Sequence, residues 1–150
     1  MIELREAKLW HCGAISHRLR REHRTLLNDM KLNFHAEARE VFESSPACRK
    51  ALYIDGKLAA IGGVTGTAMS REGEIWVAVT EEVLKHPVTV ARLFKRELEK
   101  VMETRHRLVT LVFRDDRRGM MLAYFLGFRA SESRTINGRE AAVMELMRWA

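Results

Sequence analysis

The most constraining stretch runs from Glu74 to Arg105. Ile75 to Val79 is a short apolar run rich in β-branched residues and bounded by Gly73, the pattern of a buried strand. Soon after it, Val90, Phe94, Leu98, Val101 and Met102 recur at helical spacing, with Lys95, Arg96, Glu99 and Lys100 on the remaining turns. Pro87 suits a first helical turn, where its missing N–H has no intrahelical partner to lose. The stretch therefore reads as strand, short turn, helix. A helix that opens just past a strand presents free backbone N–H groups, a common place to hold phosphate.

The flanking segments fit round this unit. Ile2 to Arg5 is predicted as a strand and Ala7 to about Asp29 as one long helix, with Cys12, Ile15, Leu19, Leu26 and Met30 on its apolar side. His17, Arg18, Arg20, Arg21, His23 and Arg24 form its basic side, which is either a solvated face or a docking surface for an acidic partner. Asn33 is placed to cap a second helix that ends at Ser44-Ser45-Pro46. Arg49 to Ile54 and Lys57 to Val64 flank Asp55-Gly56, a two-residue hairpin signal. Gly62, Gly63 and Gly66 lack phosphate-loop spacing and end a strand. Leu108 to Phe113 is a further strand. Asp115 or Asp116 caps a helix that Gly127 ends, and Asn137-Gly138 joins two last strands, the final one Ala141 to Trp149. The order β-α-α-β-β-β-α-β-α-β-β predicts one α/β domain over residues 1–150, a mixed sheet of about seven strands with helices on its faces.

The chain of 150 residues is long enough to bury a core. No apolar run reaches the roughly 20 residues of a membrane helix, and MIELREAK is no signal peptide, so an intracellular, non-secreted protein without a membrane partner is expected. Cys12 and Cys48 form no C-x-x-C and read as reduced thiols. A net charge of +6 permits nucleic acid as a partner, but the cations are interleaved with acids, so this is the minor reading. His11, His17 and His23 are spaced six apart, which does not converge on a metal, so none is expected. Trp10, Trp76 and Trp149 are expected in the core, as are methionines such as Met120, Met121, Met144 and Met147.

The element order, the Val77-Ala78-Val79 strand with its following helix, and the Leu126-Gly127-Phe128 ending together resemble the GNAT fold, that of the acyl-CoA-dependent N-acetyltransferases. The resemblance covers essentially the whole chain. It implies that the pantetheine arm of the cofactor pairs with the backbone of the central strand, and that a turn of pattern R-x-x-G-x-G or R-x-x-G-x-A cradles the pyrophosphate. Counted from Val79, the Arg position falls on Leu84 and the glycine positions on Pro87 and Thr89, with Lys85 between. Pro87 offers no N–H, Thr89 adds a branched side chain where backbone must come close, and Glu81 and Glu82 add negative charge. Lost charge-assisted bonds at roughly 1.5–3 kcal/mol each would weaken CoA by several kcal/mol. Lys85, His86 and Arg92 compensate in part. On this reading no cofactor is expected. If acetyl-CoA does bind, Val77, Val79, Lys85 and Thr89 are its candidate contacts.

For catalysis the resemblance implies a general base for the amine and an acid for the leaving thiolate. Glu74 is the base candidate and also reads as an ordinary strand-edge carboxylate. The family's frequent Tyr falls on Ala123, so Tyr124, one step and about 100° round the helix, is a candidate acid or a packing residue. Asp116 stands where the family often has Asn.

Ala51 to Gly63 and Trp76 to Thr80, followed by a turn without glycines, look similar to GNAT-like internal virion proteins of short-tailed phages. That likeness implies a non-catalytic GNAT-fold protein of a bacteriophage particle or its assembly, in the virion or host cytoplasm. It would bind phage structural proteins or itself through Arg18, Arg20, Arg21 and Arg24. The alternative is an acetyl-CoA-dependent N-acetyltransferase acting on an amine.

Overall fold

A computed structural model describes residues 1–21, 24, 27, 28 and 33–148. The strands are β1 (Ile2–Glu6), β2 (Arg49–Ile54), β3 (Lys57–Val64), β4 (Glu72–Val79), β5 (Arg107–Phe113), β6 (Arg129–Ile136) and β7 (Arg139–Met147). The helices are α1 (Leu9–Ser16), α2 (Phe34–Glu43), α3 (Pro87–Met102) and α4 (Arg117–Phe125), with a 3-10 turn at Glu81–Lys85. The strands form one mixed seven-stranded sheet in the order β1-β2-β3-β4-β5-β7-β6. Among the described residues only β4 and β5 pair in parallel.

The backbone groups into two compact units, Met1–Thr67 with Ile75–Pro87, and Ala68–Glu74 with Val88–Ala150. In the first unit, β1, β2, β3 and the second part of β4 form an antiparallel ladder. Asp55 and Gly56 turn the β2–β3 hairpin at φ 50° and 79°, the left-handed backbone that such a loop requires. The core joins Cys12, Ile15 and Leu19 to Ala38 and Phe42 of α2 and to Ala51, Tyr53, Ile61 and Ala78 of the strands. Gly62 and Gly63 let β4 lie close: a methyl on Gly62 would meet Val77 Cγ2 at 2.7 Å, and one on Gly63 would overlap the Cys48 carbonyl.

In the second unit, β5, β7 and β6 are antiparallel and Glu72–Glu74 add the parallel start of β4. Leu108, Phe113, Ala123, Phe128, Ala141, Ala142 and Met144 are buried there. The guanidinium of Arg105, 4% exposed, donates through Nη1 to the Glu72 carbonyl at 2.8 Å. Asp116, rather than Asp115, caps α4 by accepting the Gly119 N–H at 3.1 Å, and Asp115 pairs with Arg139 at 2.8 Å. Asn137-Gly138 turns the second hairpin at φ 48° and 79°.

Three expectations need correction. The long helix stops at Ser16. His17 and Arg18 turn, Leu19 forms an antiparallel bridge with Thr80, and the Arg20 N–H donates to the Val79 carbonyl at 2.9 Å. A buried leucine and a backbone partner on β4 outcompete another helical turn. Arg18 therefore sits in a turn and Arg20 outside any helix or strand, Arg21 and Arg24 lie in helical backbone beyond them, and the four do not form one helix face. Trp10 is 62% exposed and stacks on His11 at 3.8 Å, so it does not fill the core. Met121, 71% exposed, does not either, whereas Met144 is fully buried. His23, Leu26, Met30 and Trp149 lie outside the described residues.

Candidate functional site

β4 changes partner along its length. Glu72, Gly73 and Glu74 pair with Arg107, Leu108 and Val109 of β5, whereas Ile75 to Val79 pair with β3. The Thr80 N–H points to β3, where it donates to the Ala59 carbonyl at 2.9 Å. Backbone direction alternates along a strand, so Val77 and Val79 direct their N–H and C=O groups away from β3. The Val79 carbonyl is taken by the Arg20 N–H. Val77 is 40% exposed, and among the described residues no strand pairs with it on that side.

The turn after β4 satisfies its own groups. Thr80 Oγ1 accepts the Glu82 N–H at 3.3 Å, the Thr80 carbonyl accepts the Val83 N–H at 3.3 Å, and the Val83 carbonyl accepts the His86 N–H at 3.1 Å. Lys85 donates to Glu82 at 3.0 Å, and its ammonium holds the Glu82 carboxyl below the usual range. A Glu81 carboxylate oxygen accepts the Arg21 N–H at 3.2 Å. Three of the turn's amides and its one lysine are thus committed inside the turn, and Leu84 brings no charge. These three amides and this lysine are not open to a diphosphate as they stand.

α3 is different. Thr89, Arg92 and Arg96 fall at i, i+3 and i+7 and line a shallow basin of about 400 Å³. All three are exposed, and among the described residues neither guanidinium makes an ion pair or a side-chain hydrogen bond. Thr89 is thereby placed in a cationic surface and Lys85 is not. Sequence reasoning passed over Arg96 as helix filling; the signal was its spacing from Thr89.

The catalytic candidates lie on β4 and α4. Glu74 is exposed at the last residue of β4 that pairs with β5. Tyr124 is 44% exposed with the Arg129 guanidinium 6.0 Å from its ring centroid, whereas Ala123 is buried. One helical step separates a packing position from a solvent-facing phenol.

Away from these groups, His11 is buried. Its Nδ1 accepts the Lys8 N–H at 2.8 Å and its Nε2 is 2.8 Å from the Tyr53 hydroxyl. An Nδ1 that accepts leaves Nε2 to carry the proton, so the ring is neutral. Burial pushes its pKa down, and the charges of Arg5 and Lys8 add to the effect.

No protein-family model matches the sequence, and no curated protein sequence is similar to it. Solved structures are similar to it over nearly the whole chain. Ard1 from Thermoplasma volcanium matches with a TM-score of 0.74 at 13% identity, covering 99% of each chain. The ribosomal-protein-S18-alanine N-acetyltransferase from Escherichia coli matches at 0.71 and 19% identity, over 98% of this chain and 94% of that one. An acetyltransferase of the GNAT family from Streptococcus pneumoniae matches at 0.65 and 14% identity, over 98% and 99%.

This chain has the GNAT fold.

The GNAT-fold structures it resembles are acetyltransferases, and this overturns the expectation of a non-catalytic phage component. None of these three is described as a phage or virion protein. Among the described residues, no helix of this GNAT fold is long and apolar enough to cross a membrane.

Proposed function

We propose that this chain is an acetyl-CoA-dependent N-acetyltransferase that acts on an amine. The observation that carries the reading is a pair of guanidiniums, Arg92 and Arg96, that make no ion pair among the described residues and stand beside Thr89 on the helix that follows β4, in a chain with the GNAT fold. Arg binds phosphate oxygens through parallel N–H groups. Both stand one turn apart on α3, on the face that carries Thr89. Among the described residues nothing pairs with the outward N–H and C=O of Val77, which would take an amide-bearing arm, and Val79 would add its N–H. Thr89 adds a hydroxyl. Lys85 contributes only if it leaves Glu82.

Acetyl-CoA supplies an activated acetyl thioester when bound. Glu74 would take a proton from the acceptor ammonium so that the neutral amine can attack, and Tyr124 would return one to the departing thiolate. The nitrogen sheds two protons on going from ammonium to amide and the thiolate takes up one: Glu74 would pass the first to solvent, and the second would restore the Tyr124 phenol.

Calorimetric titration with acetyl-CoA, beside melting curves with and without it, tests the reading. Saturable micromolar binding and a rise in Tm are expected, since a ligand at 100 times its Kd adds about 2.7 kcal/mol. Arg92→Ala/Arg96→Ala should weaken binding at least about tenfold, from charge-assisted bonds of roughly 1.5–3 kcal/mol. No heat and no Tm change at millimolar acetyl-CoA would sink the proposal.

A further inference from the structure

We propose that two copies of this chain associate edge to edge through β6, in one register centred on Ser133. This does not depend on acetyl transfer. Among the described residues β6 ends the sheet, bonded to β7 alone, and every residue from Arg129 to Thr135 is exposed. In a two-residue hairpin the residues flanking the turn form a hydrogen-bonded pair. Here that pair is Ile136 with Arg139, followed inward by Arg134 with Ala141 and Glu132 with Val143. Ile136, Arg134 and Glu132 therefore direct their backbone groups to β7, and Thr135 and Ser133 direct theirs away from the molecule.

The side chains decide what can pair there. In an antiparallel match about Ser133, that residue meets its own copy and exchanges two backbone hydrogen bonds. Glu132 then faces Arg134 of the second copy, and Arg134 faces Glu132. These are non-hydrogen-bonded pairs, where side chains stand closest. Within one chain Glu132 and Arg134 are already 2.9 Å apart on one face, so two copies assemble four charges of alternating sign. Sliding the match by one residue on each chain sets Glu132 against Glu132, or Arg134 against Arg134, on the two-fold axis. Cross-strand like charges repel, so the match about Ser133 is favoured over both of its neighbours, and it is the one that pairs each Glu132 with an Arg134.

Charges and bulges are the usual defences of an edge strand. The charges here complement a second copy rather than repel it. The bulge at Ser131, whose Oγ donates to the Val143 carbonyl at 3.2 Å, shortens the ladder without interrupting Glu132 to Ile136. So short a ladder buries less than the roughly 1,200–2,000 Å² of a stable interface. The dimer is therefore weak and concentration-dependent.

Sedimentation velocity of the full chain from micromolar to near-millimolar concentration tests this. The wild type should move from monomer to dimer. Ser133→Pro, which removes an N–H that β7 does not use, should stay monomeric with an unchanged circular dichroism spectrum. Glu132→Arg and Arg134→Glu should each raise the dissociation constant about tenfold, or about 1.4 kcal/mol over two symmetric contacts. The swap E132R/R134E should restore association. A wild type that is monomeric throughout, a Ser133→Pro protein that still dimerises, or a swap that fails to restore pairing overturns the proposal.

Discussion

Gly63→Ala is the sharpest test of how β3 and β4 are packed. The added methyl overlaps the Cys48 carbonyl oxygen and stands 3.0 Å and 3.2 Å from two atoms of the Trp76 ring. Carbon pairs settle at about 3.5–4.0 Å, so the ring must retreat by about 0.5 Å and the carbonyl by more. The ring is not free to go, because Trp76 Nε1 donates to the buried Ser45 Oγ at 2.8 Å. Moving the carbonyl breaks the 3.1 Å bond that it accepts from the Val64 N–H. Overpacking costs about 1–3 kcal/mol and a lost backbone bond about 0.5–1.5, together about 2–4 kcal/mol. At roughly 2–4 °C per kcal/mol for a chain this size, Tm should fall by about 5–15 °C. Urea unfolding followed by Trp fluorescence measures the same quantity and reports on the ring directly. Gly56→Ala, at φ 79° with open space around it, isolates backbone strain and should cost about 1–2 kcal/mol. A Gly63→Ala protein within about 0.5 kcal/mol of wild type, the range of ordinary surface changes, refutes the packing account.

Three further predictions follow from buried or capping groups. His11 has a folded pKa below its unfolded value near 6.5, so the unfolded chain binds the extra proton. Stability should hold above about pH 6.5 and fall as pH drops from there toward the depressed folded pKa; His11→Gln should flatten that limb in chemical denaturation between about pH 7 and 5. Arg105→Met removes the bond to the Glu72 carbonyl from a buried site and should cost about 1.5–3 kcal/mol in urea unfolding, with faster amide exchange at Glu72–Glu74. Asp116→Ala removes the cap on the Gly119 N–H and should cost about 1 kcal/mol, whereas Asp115→Ala, which breaks only an exposed ion pair, should change Tm little.

Local features were legible in the residues and non-local ones were not. Both hairpins were readable because Asp55-Gly56 and Asn137-Gly138 carry their reason within two residues. The Asn33 cap, confirmed by the Ala36 N–H at 3.3 Å, is equally local. The long first helix failed because Cys12, Ile15 and Leu19 suit a helix and also suit what occurs, a short helix followed by a strand-like contact. What decides between them is Thr80, far along the chain. β4 starts at Glu72 rather than Ile75 for the same reason, since its first residues find β5 only in three dimensions. At the candidate site, the missing charge at Leu84 and the missing N–H at Pro87 are properties of the residues themselves. The face on α3 was only half seen, because Thr89, Arg92 and Arg96 gain meaning from lining one basin.

The short contact that ends the first helix also sets a length. Leu19 and Arg20 close the far end of β4 like a stop on a rail, at Val79 and Thr80. From Val77 to that stop is two residues, about 7 Å at roughly 3.3 Å each. A linear ligand lying along this strand would be measured by the protein's own N-terminal segment, and lengthening or cutting that segment would change which ligands fit.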